Sequence, residues 1–196
     1  VRRDYITSTW IPRGLCDANG NGLLEVLCHI VGRAVLFEQA TVGGSPFAKI
    51  IYADSSGRQN GAGVADINGD GREELLLLSD SGCTAITYRN NRFERLGMAR
   101  NTSAPSYGNV NNRVDEISVA AGDFDGDGAV DVAFGDTDGD LVISEWTGQD
   151  FVNRLTLETN GGGGSGFVAS GDVDADGKID VVFGVPDSTQ PDAERE

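Results

Sequence analysis

Short apolar runs punctuate a chain that is otherwise polar and rich in glycine. Val26-Leu27, Leu75–Leu78, Val130–Phe134 and Ile179–Phe183 are built from Val, Leu, Ile and Phe, and end at glycine or a polar turn. A short run of this kind, partly β-branched and without alternation, predicts a strand covered on both faces. Small and apolar residues precede three of the runs, at Gly63-Val64-Ala65, Val119–Gly122 and Val168–Gly171. In the two middle units a second strand is predicted at Thr84–Tyr88 and Leu141–Trp146, and a third at Phe93–Gly97 and Phe151–Leu157. Polar turns separate them, Arg89-Asn90-Asn91-Arg92 and Thr147-Gly148-Gln149-Asp150. No segment carries a capped 3.6-residue period, so almost no helix is expected. The pattern predicts an all-β chain of units with four short antiparallel strands each.

Each first hairpin encloses an acidic loop, and the four loops align. They are Asp17-Ala-Asn19-Gly-Asn21-Gly-Leu-Leu-Glu25, Asp66-Ile-Asn68-Gly-Asp70-Gly-Arg-Glu-Glu74, Asp123-Phe-Asp125-Gly-Asp127-Gly-Ala-Val-Asp131 and Asp172-Val-Asp174-Ala-Asp176-Gly-Lys-Ile-Asp180. Their first positions lie 49, 57 and 49 residues apart. A four-stranded sheet repeated at this period predicts a β-propeller blade, and blades bury their faces only against one another. The chain reads as one propeller segment over 1–196, with units at about 1–52, 53–103, 104–160 and 161–196. Unit one has a divergent stretch at Arg33–Tyr52, and unit four stops one strand after its loop, before a polar tail at Pro186–Glu196. Closed propellers have ~4–8 blades. The expectation is therefore a piece of a larger propeller, or a ring completed by a protein partner or by self-association.

Oxygen side chains at positions one, three, five and nine, with glycine at position six, suit a calcium ion. Calcium takes six to eight oxygens and accepts irregular geometry. The expected ligands of loop two are Asp66, Asn68, Asp70, the Arg72 carbonyl and Glu74. Those of loop three are Asp123, Asp125, Asp127, the Ala129 carbonyl and Asp131. Loop four offers Asp172, Asp174, Asp176, the Lys178 carbonyl and Asp180. Loop one offers Asp17, Asn19, Asn21, the Leu23 carbonyl and Glu25; with two formal charges it is the weakest site, and its occupancy is left open. Three to four structural Ca2+ ions are expected. An EF-hand is excluded, because position twelve is Cys28, Leu77, Phe134 or Phe183 and the flanks are β. Magnesium fits less well, since it keeps its own waters in a strict octahedron. The bland alternative is a set of Asp-Gly hairpin turns. Asp136-Thr-Asp138-Gly-Asp140 lacks the ninth-position acid and is read as such a turn.

Charge then narrows the function. The chain has 31 Asp and Glu against 15 Lys and Arg, a net charge of −16. Thirteen of the acids occupy ligand positions in the four loops, so the acidity is largely a repeated metal site. The charge argues against a nucleic-acid partner, and no apolar run approaches a membrane span. One histidine rules out His-based triads and metal sites within the chain, and no nucleophile pair or phosphate-binding loop is present. No enzymatic activity is expected. His29 reads as a packed strand residue, and Trp10 and Trp146 as core. Cys83 reads as buried and inert, whereas Cys16 and Cys28 are open to a cross-strand disulfide or to free thiols. Asn101-Thr102-Ser103 is a glycosylation sequon. The glycine-rich segment at 161–166 reads as a natural inter-blade loop. Val1 is not an initiator, which suggests a processed chain or a piece of a longer one.

The phrases Asp123-Phe-Asp-Gly-Asp-Gly-Ala-Val-Asp-Val-Ala-Phe-Gly135 and Asp172-Val-Asp-Ala-Asp-Gly-Lys-Ile-Asp-Val-Val-Phe-Gly-Val-Pro186 resemble FG-GAP/VCBS repeats, the calcium-binding blades of integrin alpha chains and many secreted propellers. Gly57–Leu78 and Tyr88–Arg95 are most similar to the cartilage acidic protein (ASPIC/UnbV-associated) group. The resemblance implies a seven-bladed propeller, an extracellular location and protein or glycan contacts; this chain supplies about half of such a ring. The functional expectation is an extracellular, secreted adhesion, matrix or assembly scaffold. A lectin-type glycan binder and an accessory module of an enzyme catalysing elsewhere are the alternatives.

Overall fold

The computed structural model describes residues 11–30, 33–38, 49–54, 59–103, 114–137, 139–158 and 167–184. Trp10, Asp138, the glycine-rich segment 161–166 and the tail 186–196 lie outside the described residues. All regular structure in the described residues is β. Blade one comprises β1 (Ile11–Cys16), β2 (Glu25–Ile30), β3 (Arg33–Glu38) and β4 (Lys49–Asp54). Blade two comprises β5 (Gln59–Ala65), β6 (Glu74–Ser79), β7 (Gly82–Arg89) and β8 (Arg92–Arg100). Blade three comprises β9 (Val114–Gly122), β10 (Asp131–Asp136), β11 (Leu141–Trp146) and β12 (Phe151–Leu157), and β13 (Phe167–Gly171) with β14 (Asp180–Gly184) begins a fourth. Each sheet runs in simple up-and-down order, every pair antiparallel, and no sheet closes on itself. The expected propeller-blade fold is present, and the divergent stretch of unit one supplies β3 and β4.

In blades two and three the strand after the loop is apolar through its middle because it serves two cores. In β6, Leu75 and Leu77 pack with Leu27, Leu36 and Ala34 of blade one. Leu76 and Leu78 face the other way, against Val132, Phe134 and Val142 of blade three. The leucines at 75–78 are at most 1% exposed, and each burial contributes roughly 2 kcal/mol. Blade three repeats the device: Val132 and Phe134 pack toward blade two, and Ala133 joins Val168, Val181 and Phe183 of blade four. Trp146 sits in the core between blades two and three, its ring 5.2 Å from that of Phe151.

Glycine lets the first strands approach one another. A Cβ built on Gly14 would lie 2.5 Å from Val64 Cγ2, and one on Gly63 would lie 2.7 Å from Val119 Cγ1. The pairing of third with fourth strand carries a register shift at the same place in each complete blade, between Leu36/Phe37, Ala85/Ile86 and Ile143/Ser144. Such bulges bend and twist a strand locally. The β1–β2 register sets Cys16 opposite Glu25 and Cys28 opposite Pro12. The two thiols therefore stand near opposite ends of the hairpin, and all three cysteines are free and buried. The cross-strand disulfide considered from the sequence is not formed.

Candidate metal centres

Every acidic loop joins the first strand of its blade to the second, and one hydrogen-bond scheme shapes all four. The position-one aspartate accepts from the N–H groups of positions five and six: Asp17 from Asn21 (3.0 Å) and Gly22 (2.8 Å), Asp66 from Asp70 (3.1 Å) and Gly71 (2.8 Å), Asp123 from Asp127 (3.0 Å) and Gly128 (2.9 Å), Asp172 from Asp176 and Gly177 (both 3.0 Å). Oδ1 of position three accepts from the N–H of position five, in Asn19, Asn68, Asp125 and Asp174. Oδ1 of position five accepts from the N–H of position seven: Asn21 from Leu23, Asp70 from Arg72, Asp127 from Ala129 and Asp176 from Lys178. These bonds coil each loop around its own side-chain oxygens.

The coil needs left-handed backbone twice. Position six is glycine in all four loops, with φ between +81° and +93°. Position four is also left-handed, at Gly20, Gly69, Gly126 and, in loop four, Ala175 with φ +62°. The sequence reading assigned a role to position six alone; glycine at position four in three of four loops was the overlooked signal.

Position nine opens the second strand and turns back into the loop. One oxygen of each acid accepts the N–H of position two: Glu25 from Ala18 (2.8 Å), Glu74 from Ile67 (2.9 Å), Asp131 from Phe124 (3.0 Å) and Asp180 from Val173 (2.9 Å). The other oxygen differs between loops. Asn19 Nδ2 donates to Glu25 Oε1 at 3.2 Å, and Asn68 Nδ2 to Glu74 Oε1 at 2.8 Å. In loop three, Asp131 Oδ1 is buried with no hydrogen-bond partner. Burial, with the charges of Asp125, Glu145 and Asp127, pushes the Asp131 carboxyl above the usual range.

Carboxylates gather most closely in two loops. Asp123, Asp125 and Asp127 bring ligand oxygens within 4.8 Å of one another, as do Asp172, Asp174 and Asp180; these are the only such groups among the described residues. Bare carboxylates that close repel, and a buried carboxylate oxygen without a donor is costly. An oxygen-seeking cation would relieve both, so the residues of loop three fit calcium. In loop two the Arg72 guanidinium binds Asp70 at 2.9 Å and holds its carboxyl low. In loop one, Glu38 of β3 enters the site, a residue that spacing within the loop could not reveal.

Asn101 is half-buried. Its Nδ2 donates to Asp136 Oδ2 at 3.2 Å, and its Oδ1 accepts from Ser103 Oγ at 2.8 Å. Between β10 and β11 the Asp136 N–H donates to the Asp140 carbonyl at 3.1 Å.

Up-and-down blades with an acidic loop in each first hairpin define a repeat propeller. Residues 66–134 and 123–183 match the FG-GAP-like repeat, and the chain belongs to that family. No curated protein matches the chain. FG-GAP-like repeats point to a propeller of the kind that commonly mediates protein interactions.

Proposed function

We propose that this chain is a calcium-stabilised propeller segment that serves as a non-catalytic, extracellular scaffold for protein contacts. The observation that carries the calcium reading is Asp131: a buried carboxylate oxygen without a donor, beside the Asp123–Asp125–Asp127 group. Calcium is the cation whose coordination such irregular oxygen sets satisfy. The scaffold reading rests on the repeat family and on the end blades, where Leu15, Ile50, Phe167 and Val182 are each more than half exposed. A neighbouring blade, from a longer chain, a protein partner or a second copy, would cover such faces. Membership of the cartilage acidic protein group is the finer form of the proposal.

Calorimetric titration of the chelator-stripped full chain with CaCl2 tests the metal. Saturable heat and a higher melting temperature are expected; no heat and no shift would remove calcium from the proposal. Native mass tests the scaffold: a dimer, or a stable complex with a partner chain, is expected.

A further inference from the structure

One atom can be followed through the loops, and it separates them. The second oxygen of the ninth-position acid receives an amide proton wherever position three is asparagine, as Glu25 does from Asn19 and Glu74 from Asn68. Where position three is Asp125, no amide is available, and Asp131 Oδ1 is left buried without a donor. Loop four also has an aspartate at position three, Asp174, held within 4.8 Å of Asp180 and Asp172.

Loops one and two carry further internal donors. Glu38 stands opposite Glu25 in the β2–β3 pairing. Two facing carboxylates should repel, yet Glu38 Oε2 accepts from Asn19 Nδ2 at 2.8 Å and from Asn21 Nδ2 at 2.5 Å. Both amides of loop one thus supply N–H groups where a cation would supply charge. In loop two, Arg72 Nε and Nη2 bind the Asp70 carboxylate at 3.3 and 2.9 Å.

We propose that the four repeats fall into two chemical classes. Loops three and four take a divalent cation, whereas loops one and two are closed without one by their own amide and guanidinium hydrogens, with Glu38 as the positioning residue of loop one. This rests on the calcium reading above and narrows it from three or four ions to two. Oδ1 accepts a backbone N–H at positions three and five of all four loops, so the loops differ in the second side-chain atom: Nδ2 of Asn19, Asn21 and Asn68 donates to a carboxylate, where Asp125, Asp127, Asp174 and Asp176 carry a second carboxylate oxygen instead. The amide is thereby a built-in replacement for the ion.

Native mass spectrometry of the full chain, stripped with chelator and refilled with calcium, counts the ions. Two are expected. Asp125→Asn and Asp174→Asn should each reduce the count to one, and Asn68→Asp, which removes the amide from Glu74, should raise it to three. Glu38→Gln should leave two ions bound while amide exchange over residues 17–25 quickens. Three or four ions in the unaltered chain, or loss of an ion on Glu38→Gln, would overturn the division and leave calcium standing. No bound ion would overturn the calcium reading itself.

Discussion

Ala175 is where one residue type meets a backbone that suits another. Its φ of +62° is the conformation that Gly20, Gly69 and Gly126 adopt at the same loop position. A Cβ there costs about 1 kcal/mol. Ala175→Gly is therefore expected to stabilise the calcium-loaded chain by about 0.5 kcal/mol or less, because glycine also loosens the unfolded chain by part of that figure, read as a small rise in the urea midpoint. Glu25 is a second residue at odds with its surroundings. Burial, then the charges of Asp17 and Glu38, push its carboxyl up to about 7. The folded chain then holds a proton that the unfolded chain has released, so this group's contribution is present below about 4.5 and declines as pH rises through about 7. Glu25→Gln should remove that decline: the stability of the parent minus that of the variant, from urea melts in chelator, should fall between pH 4.5 and 7. A flat difference would show that Glu25 titrates normally.

Pairs of acids recur at the scale of the strand. Glu25 faces Glu38 in blade one and Asp131 faces Glu145 in blade three. The first pair is reconciled by the amides of loop one, the second by Arg154, whose guanidinium binds both Glu145 oxygens at 2.5 and 2.6 Å. The acid at position nine was legible in the sequence because it repeats. Its facing residue was not, because pairing joins positions 13 or 14 residues apart, and that interval differs between blades. Strand order was legible for a physical reason: a strand buried on both faces must be apolar at every position, and only a blade between two others meets that condition. The limits of blade one were harder to read, since β3 and β4 mix Arg33, Glu38 and Lys49 with their apolar residues. Glycine at 63 belongs to this scale too. With a Cβ that would sit 2.7 Å from Val119, Gly63→Ala is expected to cost about 1–3 kcal/mol by forcing β5 from β9, read as a lower denaturation midpoint with unchanged calcium stoichiometry.

Across the whole molecule, the uneven chemistry of the loops predicts uneven stability. Saturating calcium at a hundredfold its dissociation constant adds about 2.7 kcal/mol per site, or ~5–10 °C in a chain of this size. If loops three and four are the sites, chelator should lower the melting of blades three and four and leave blades one and two behind. A split thermal transition in chelator, rejoined by added calcium, is the expected result; a single transition that moves as one would contradict it. Trp146, between blades two and three, offers a fluorescence signal at the boundary.

The alternation in β6 makes that boundary unusually easy to trace. Because Leu75 and Leu77 belong to one inter-blade core and Leu76 and Leu78 to the next, sequence parity is also spatial direction. Damage at an odd position is delivered toward the amino-terminal neighbour, damage at an even one toward the carboxy-terminal neighbour. Four consecutive substitutions of one leucine type thus form a compass. They can report how far a disturbance travels along the row of blades, and whether it travels equally both ways.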